Sequence, residues 1–413
     1  MKLTELKTEV QKYQYMEDTS IIDVSLASII ANRLKLGDPI WLIIIGASSG
    51  GKSQILRPLA LTDTKFIHRI DDLTENTFLS GIKAKEGEPV SLLMRIGNAG
   101  ILVISDFTVL MSKAPEARAT ILSQFRMIYD GEMVKYSGNL KQPLKWPAQG
   151  KGYLGVLAGS TPSIYAHFEE VADMGERFIY YRMKEISPRK ATELALSRKV
   201  FGHDLDETLS KLYGEYVMEV CKNVDPEKIV LSETVINRII EVAMFAERVR
   251  TPAHMDWKGE SIRKIPVSAL PMRVSLQLKA IARGIGAIKF YETGACEFTD
   301  ADLSVIDWVG YSLANEEKRA CLKVMASVAF DAGLTTSTVA DQVGLNTNII
   351  GIILQNLAAV GVLTRTGDGM NSLRWHFKEV SDYNIVRRIE HIQGELELFN
   401  RQSTSEDDDE AMG

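Results

Sequence analysis

The stretch IIIGASSGGKSQIL, residues 43–56, decides how this chain is read. Four apolar residues, Leu42 to Ile45, run into Gly46; Gly50, Gly51, Lys52 and Ser53 follow, and an amphipathic run then starts a helix. Gly46 to Ser53 fits the pattern G-x-x-x-x-G-K-[ST] in full. Each residue type has a task there. Glycines let successive backbone N–H groups turn toward phosphate oxygens, Lys52 neutralises charge on the β and γ phosphates, and the Ser53 hydroxyl ligates magnesium. Ser49 and Gln54 stand with Gly50 and Gly51 among the residues expected to touch the nucleotide. A strand before the loop and a helix after it turn a short pattern into an expectation of ATP and Mg2+.

Such a loop needs a carboxylate at the end of a neighbouring strand, to hold magnesium and to orient water. GILVISDF, residues 100–107, supplies Ile101 to Ile104 and then Ser105 and Asp106. Two consecutive acids are usual at those places. Here Ser105 replaces the first, so Asp106 either does both jobs or stands in for the catalytic acid alone. A second strand, in FIHRIDDLTEN, ends in Asp71, Asp72 and Glu75. RecA-like motors place a catalytic carboxylate there, on the strand beside the loop strand; the plain alternative for Asp71 and Asp72 is a solvated helix cap. YLGVLAGSTPS, residues 153–163, is an apolar strand ending in Ser160 and Thr161, where a hydroxyl can meet the γ-phosphate or the attacking water. MGERFIYYRM, residues 174–183, sets Arg177 just before a strand of Phe178 to Tyr181. Strands separated by helical stretches imply parallel β-α units with the site at the strand C-terminal ends. The fold class is α/β, with a parallel sheet flanked by helices.

Composition limits the alternatives. The chain has 413 residues, 45% of them hydrophobic and 25% charged, as in an ordinary globular protein of two or three domains. Its apolar runs fall far short of the roughly 20 residues that span a bilayer, and MKLTELKTEVQKYQ at the start reads as a polar helix. No membrane association and a cytoplasmic location are therefore expected. Cys221, Cys296 and Cys321 are widely spaced and form no CxxC pair, and the six histidines show no metal-ligand spacing. The net charge of −6 owes much to Glu406 to Glu410, five consecutive acids in the tail. The body is close to neutral, so local patches must decide on any polyanionic partner.

With these motifs in place, the chain resembles the AAA+ ATPases. Gly46 to Ser53 is similar to their Walker A motif, Ile101 to Asp106 to Walker B, and Ser160 or Thr161 to sensor 1. Arg177 in GERF looks like the arginine finger, which in this superfamily reaches into the neighbouring subunit's site. Pro271 and Arg273, opening the long run PMRVSLQLKAIARGIGAI, are similar to sensor 2, with Arg263 and Arg283 as rivals. Between the helix ending near Tyr129 and the Ser160 strand, MVKY and LKQPLKW flank a Ser137-Gly138-Asn139 turn and read as a hairpin. It carries Lys135, Lys141, Lys145 and Lys151, with Trp146 and two tyrosines interleaved. Its place resembles the pre-sensor-1 hairpin of the branch that includes the minichromosome-maintenance helicases. That resemblance implies a homo-oligomer, a hexameric ring, whose pore grips single-stranded DNA with Lys135, Lys141 and Lys145. The large N-terminal domain of those helicases has no counterpart here. General similarity is to ATPases of phages and mobile elements.

The last third changes character. EKRACLKVMASVAFDAG reads as a helix closed by Gly333, TSTVADQVG as a second helix capped by Ser337 or Thr335, and LNTNIIGIILQNLAAVG as a third. VLTRTGDGMNSLRWHFKEV follows as two strands around an Asp368-Gly369 turn. Three helices and a β-wing make a winged helix. Its recognition helix offers Asn346, Thr347, Asn348 and Gln355 but no cation, so Arg365, Arg374 and Lys378 on the wing would carry contact with DNA. A partner protein of replication is the alternative. The expected organisation is a helical segment at 1–38, an AAA+ core at 39–187 with the hairpin at 130–153, a helical lid at 188–315, a winged helix at 316–380, and a helix with a disordered acidic tail at 381–413. The expected function is an ATPase that unwinds DNA or translocates on it. A nucleotide switch that loads or recruits a helicase, and an ATP-dependent transcription regulator, are the alternatives.

Overall fold

The computed structural model describes residues 1–14, 16, 18–48, 50–80, 91–136, 142–167, 177–184, 189, 192–193, 196, 202–251, 266, 268–367 and 373–389. Ser49, Lys141, Arg263, the turns at 137–139 and 368–369, and the tail from 390 onward lie outside them. By its contacts the chain divides into two compact units, Met1–Ile236 with Met272–Val305, and Asn237–Pro271 with Ile306–Gly413. Two of the three boundaries fall inside helices expected to form the lid.

The first unit is built on strand β1 (Trp41–Ile45), a tryptophan, a leucine and three isoleucines, all fully buried. Branched apolar side chains on both faces suit the middle of a parallel sheet covered by helices. Four more strands run parallel to it: β2 (Ile67–Ile70), β3 (Ala99–Ile104), β6 (Tyr153–Ser160) and β7 (Ile179–Arg182). Their order is β2-β3-β6-β1-β7. Two short strands between β3 and β6, β4 (Met133–Lys135) and β5 (Leu144–Trp146), pair antiparallel as a separate hairpin.

Helices α1 (Leu3–Gln11), α2 (Ser20–Leu34), α3 (Lys52–Ala60), α4 (Leu92–Ile96), α5 (Thr108–Met111) and α6 (Pro115–Tyr129) surround the sheet. The pattern of α2 predicts a one-sided amphipathic helix, but Ile21, Ile22 and every residue from Val24 to Asn32 are buried. The cause is its position, packed on β3 and β6 and also on a later helix, α9 (Met272–Thr293). Its polar Asn32 is satisfied there: the amide exchanges hydrogen bonds of 2.9 and 3.2 Å with the backbone of Ile40. Gln277 of α9, fully buried, accepts from the Trp41 N–H and donates to the Arg177 carbonyl, both at 2.9 Å. Two amide side chains thus tie off the N-terminal ends of β1 and β7, where backbone groups would otherwise be buried unpaired. Helix α7 (Gly202–Asn223) packs on α3, and α8 (Glu233–Arg250) and α10 (Asp300–Tyr311) each cross from one unit into the other along the chain.

The second unit contains α11 (Glu316–Ala326), α12 (Thr336–Val343), α13 (Thr347–Ala359), strands β8 (Leu363–Thr366) and β9 (Arg374–Phe377), and a helix α14 over residues 380–389. Helix α11 stops at Ala326, short of the predicted Gly333. The Ser327 hydroxyl takes the Val324 carbonyl at 2.7 Å, a local bond that competes with continuing the helix. Leu334 then bridges Trp375 through bonds of 3.0 and 2.8 Å, adding a residue to the β8–β9 ribbon. Thr335 caps α12 and Asn346 caps α13. Buried Asp307 takes two bonds from Arg238, at 2.7 and 2.6 Å, and buried Asp382 one from Arg248 at 2.6 Å. Burial pushes the Asp382 carboxyl up to about 7 against the pull of Arg248. Among the described residues, no helix is long and apolar enough to cross a membrane.

Candidate functional site

Three strand ends form a row at the C-terminal end of the sheet. Ile45 of β1 pairs with Ser160 of β6, and Ile104 of β3 pairs with Ala158, so Asp106 stands level with Ser160. The pairing continues past the strands: Gly46 donates to the Ser160 carbonyl at 3.1 Å and Phe107 to the Gly159 carbonyl at 2.6 Å. Because β6 lies between β1 and β3, the loop at Gly46 and the carboxylate at Asp106 are about 10 Å apart across the sheet. That spacing leaves room for phosphates and a hydrated cation over the end of β6.

The loop itself is shaped for an anion. Gly51 precedes α3 with φ of 88°, a left-handed value that disfavours any side chain, and a Cβ on Gly50 would sit 3.0 Å from the Ala47 carbonyl. Lys52 is buried, and its ammonium donates to the carbonyls of Gly46 at 2.8 Å and Ala47 at 2.7 Å. Burial lowers its pKa while the nearby Asp106 carboxylate raises it. The charge is thus held inside the loop at the mouth of a helix whose first-turn N–H groups lack helical acceptors. Ser53 and Gln54 sit half-buried in that first turn.

Thr108 links the other members of the row, and the sequence reading missed it. Its N–H donates to Asp106 Oδ1 at 2.9 Å, and its hydroxyl lies 3.4 Å from both Ser160 Oγ and Thr161 Oγ1. The Thr161 N–H also donates to that hydroxyl, at 3.2 Å. Asp-x-Thr at a helix start is the signal that was there to be seen. Ser160 is fully buried and Asp106 exposed, so the row presents a fixed hydroxyl pair beside a solvated carboxylate.

The extra acids fare differently. Strand β2 lies at the edge of the sheet, separated from β1 by β3 and β6, so Asp71 and Asp72 do not follow the strand beside the loop strand. Nor do they cap a helix. Asp72 pairs with Lys113 at 2.7 Å, Asp71 takes Arg69 at 3.1 Å, and Glu75 gives its carbonyl to Gln124 at 2.8 Å. Among the described residues no group of three or more His, Cys, Asp or Glu assembles a metal site. A cation in the row would take Ser53 and Asp106, a hydroxyl and a carboxylate, with remaining positions left to phosphate and water. Hard oxygen donors with open positions suit magnesium, so the residues present fit it.

Arg177 and Arg273 are elsewhere. Arg177 precedes β7, and because Ile179 pairs with Leu42 it stands level with Ile40, six residues below Gly46. Six residues of strand are about 20 Å, beyond the reach of the side chain. Its guanidinium Nη2 bonds both oxygens of Asp130, at 3.0 and 2.8 Å, and stacks 5.6 Å over the Tyr129 ring. Burial lowers the pKa of Arg177 against the pull of Asp130, and Arg273, at the start of α9, and Arg126 are close enough to lower it further. Arg273, similar to sensor 2 in the sequence, therefore stands away from the loop of its own chain. The rival Arg283 bonds the carbonyls of Leu36 at 2.7 Å and Pro226 at 2.8 Å.

The two strands of the hairpin pair as expected, but Lys135 and Lys145 are engaged. Lys135 donates to Asn76 at 2.8 Å and to the carbonyls of Leu79 and Glu75 at 3.0 and 3.3 Å, while Lys145 pairs with Glu132 at 3.1 Å. Trp146 is buried and donates to the Gly97 carbonyl at 2.6 Å, so it is not a stacking platform. Tyr136, beside the tip, is 81% exposed. In the second unit, Arg365 stacks on Trp375 at 5.6 Å and Arg374 donates to the Gly333 carbonyl at 3.1 Å. Asn346, Thr347, Asn348 and Gln355 are exposed on α13, with Leu345 and Ile349 beside them.

The chain matches no protein-family model and no curated protein sequence.

Proposed function

We propose that the protein is an oligomeric ATPase of the AAA+ kind, in which one copy supplies the phosphate loop and another the arginines. The observation that carries this reading is the row Gly46–Lys52, Ser160–Thr161 and Asp106 along one end of a parallel sheet, with Arg177 and Arg273 gathered at the other. Lys52 would exchange the loop carbonyls for phosphate oxygens. Magnesium, held by Ser53 and Asp106, would offset the negative charge that builds up as the γ-phosphate leaves. Asp106 would orient water, aided by Thr108, which fixes its carboxylate relative to Ser160 and Thr161. Arg177 and Arg273 would complete the site of a neighbouring copy, since neither reaches its own.

On this reading the hydrolysis does work on DNA, through the tip of the β4–β5 hairpin and the three-helix-plus-ribbon module, which has the make-up of a winged helix. The engaged state of Lys135 and Lys145 and the uncharged exposed face of α13 favour a second reading, a nucleotide switch that recruits a partner protein. ATP turnover and strand displacement, measured with and without DNA, separate the two. A motor is stimulated by DNA and displaces a strand; a switch binds ATP, turns over slowly and displaces none. Loss of neither ATP binding nor turnover in Lys52→Ala would remove both readings.

A further inference from the structure

Asp130 ends α6 as its C-cap residue. A carboxylate at the negative end of a helix is unfavourable unless a cation answers it. Arg177 is that cation. The arginine side chain is only 7% exposed, whereas that of Asp130 is 58% exposed, so the acid forms the outer member of the pair. The rest of Arg177 is fixed from behind: Tyr129 lies under the guanidinium, and Gln277 holds its carbonyl at 2.9 Å. Arg126, in the last turn of α6, and Arg273 add positive charge close by. Asp130 holds Arg177 while Arg126 and Arg273 lie near that guanidinium, and cations on this side suit a phosphate group arriving from outside. Beside them Met272 and Leu276, one turn apart on α9, expose 63% and 42% of their surface, an apolar border of the kind an interface between copies covers.

We propose that Asp130 is a positioning residue that holds Arg177 in the free copy and yields it to the γ-phosphate of a second copy's nucleotide. This rests on the composite-site reading above. A carboxylate and a phosphate compete for the same guanidinium fork, and the exposed carboxylate is the one free to turn away. In the free copy the pair stops like-charged arginines from splaying. On assembly Asp130 opposes the incoming phosphate, so it sets how much protein is needed before hydrolysis begins.

The test is ATP turnover as a function of protein concentration for the full chain, Asp130→Asn and Asp130→Glu, with melting temperatures alongside. Asp130→Asn keeps one acceptor oxygen but removes the charge. It should lower the half-saturating protein concentration about fivefold, the scale of one partly exposed charge pair, while nucleotide binding at high dilution stays as in the parent. Asp130→Glu restores the charge and should restore the parent's concentration dependence. An unchanged or raised half-saturating concentration in Asp130→Asn overturns the proposal, as does a Glu variant that behaves like the Asn variant. Arg177→Ala is run in parallel. If it turns over ATP like the parent, the composite-site reading fails as well; if it is inactive while Asp130→Asn is unchanged, only the role of Asp130 fails.

Discussion

The two ends of the five-stranded sheet use charge in opposite ways. At the C-terminal end the Lys52 ammonium is wrapped by carbonyls of its own loop and faces the Asp106 carboxylate. At the N-terminal end Asp130 holds the Arg177 guanidinium, with Arg126 and Arg273 close to it. The first arrangement keeps a cation wrapped in its own loop. The second is a group of cations in which Asp130 holds Arg177, rooted in the core by Gln277 and Tyr129. Some 20 Å of strand separates them, so a single copy does not bring the loop and these arginines together.

Mixing experiments break this comparison most sharply. Lys52→Ala should reduce ATP turnover to background, and Arg177→Ala should cut it by roughly 10³ to 10⁵ while leaving ATP binding nearly intact. Equal mixtures of the two variants should recover activity, because some interfaces then pair an intact loop with an intact arginine. No recovery, in samples that still associate, would mean that the two ends do not serve one another.

Gln277→Leu probes what roots the second end. It leaves the Trp41 N–H and the Arg177 carbonyl buried without partners, and each such group costs about 1–3 kcal/mol. Chemical denaturation should show a loss of about 3 kcal/mol. A loss below about 1 kcal/mol would show that this end is not fixed through α9. Thr108→Val sharpens the first end. Replacing the hydroxyl that meets Ser160 and Thr161 should lower turnover about tenfold, one hydrogen bond's worth, with ATP affinity changed little. A variant that loses affinity and not turnover would remove Thr108 from the row.

The hairpin lysines should differ from each other. Lys135→Ala removes three hydrogen bonds to the segment 75–79 and should cost about 1–2 kcal/mol of stability. Lys145→Ala breaks only an exposed pair with Glu132 and should cost under about 1 kcal/mol. If the hairpin grips DNA, Lys145→Ala lowers the slope of log affinity against log salt by about 0.7 to 0.9. An unchanged slope leaves that lysine to Glu132 alone.

The loop was legible because its chemistry is local. Gly46 to Ser53 states strand end, turn and helix start within eight residues, and backbone dihedrals such as the 88° φ of Gly51 follow from residue type. The strands at Asp106 and Ser160 were legible for the same reason, as short apolar runs ending in a polar residue. Strand β7 was displaced by only one residue, Ile179–Arg182 in place of Phe178 to Tyr181. The hairpin strands, the capping residue Thr335 and the β8–β9 pair were legible too, since turn and cap signals act over three or four residues.

What the sequence could not contain was the company each charged side chain keeps. The six residues from Ile40 to Gly46 and the pairing of Ile179 with Leu42 send Arg177 and Arg273 to the far end of the sheet, and no spacing along the chain predicts that. The same holds for Lys135, whose partners are 56 to 60 residues away, and for α2, whose polar Ser25, Ser28 and Asn32 are buried because the helix packs on both the sheet and α9. Local backbone preference is written in neighbouring residues, whereas electrostatic pairing and burial depend on contacts set only when distant strands and helices close on one another. The sequence alone therefore determined an α/β chain with a glycine-containing loop between a buried strand and a helix. Tertiary structure decided which cations stand beside that loop and which wait at the opposite end.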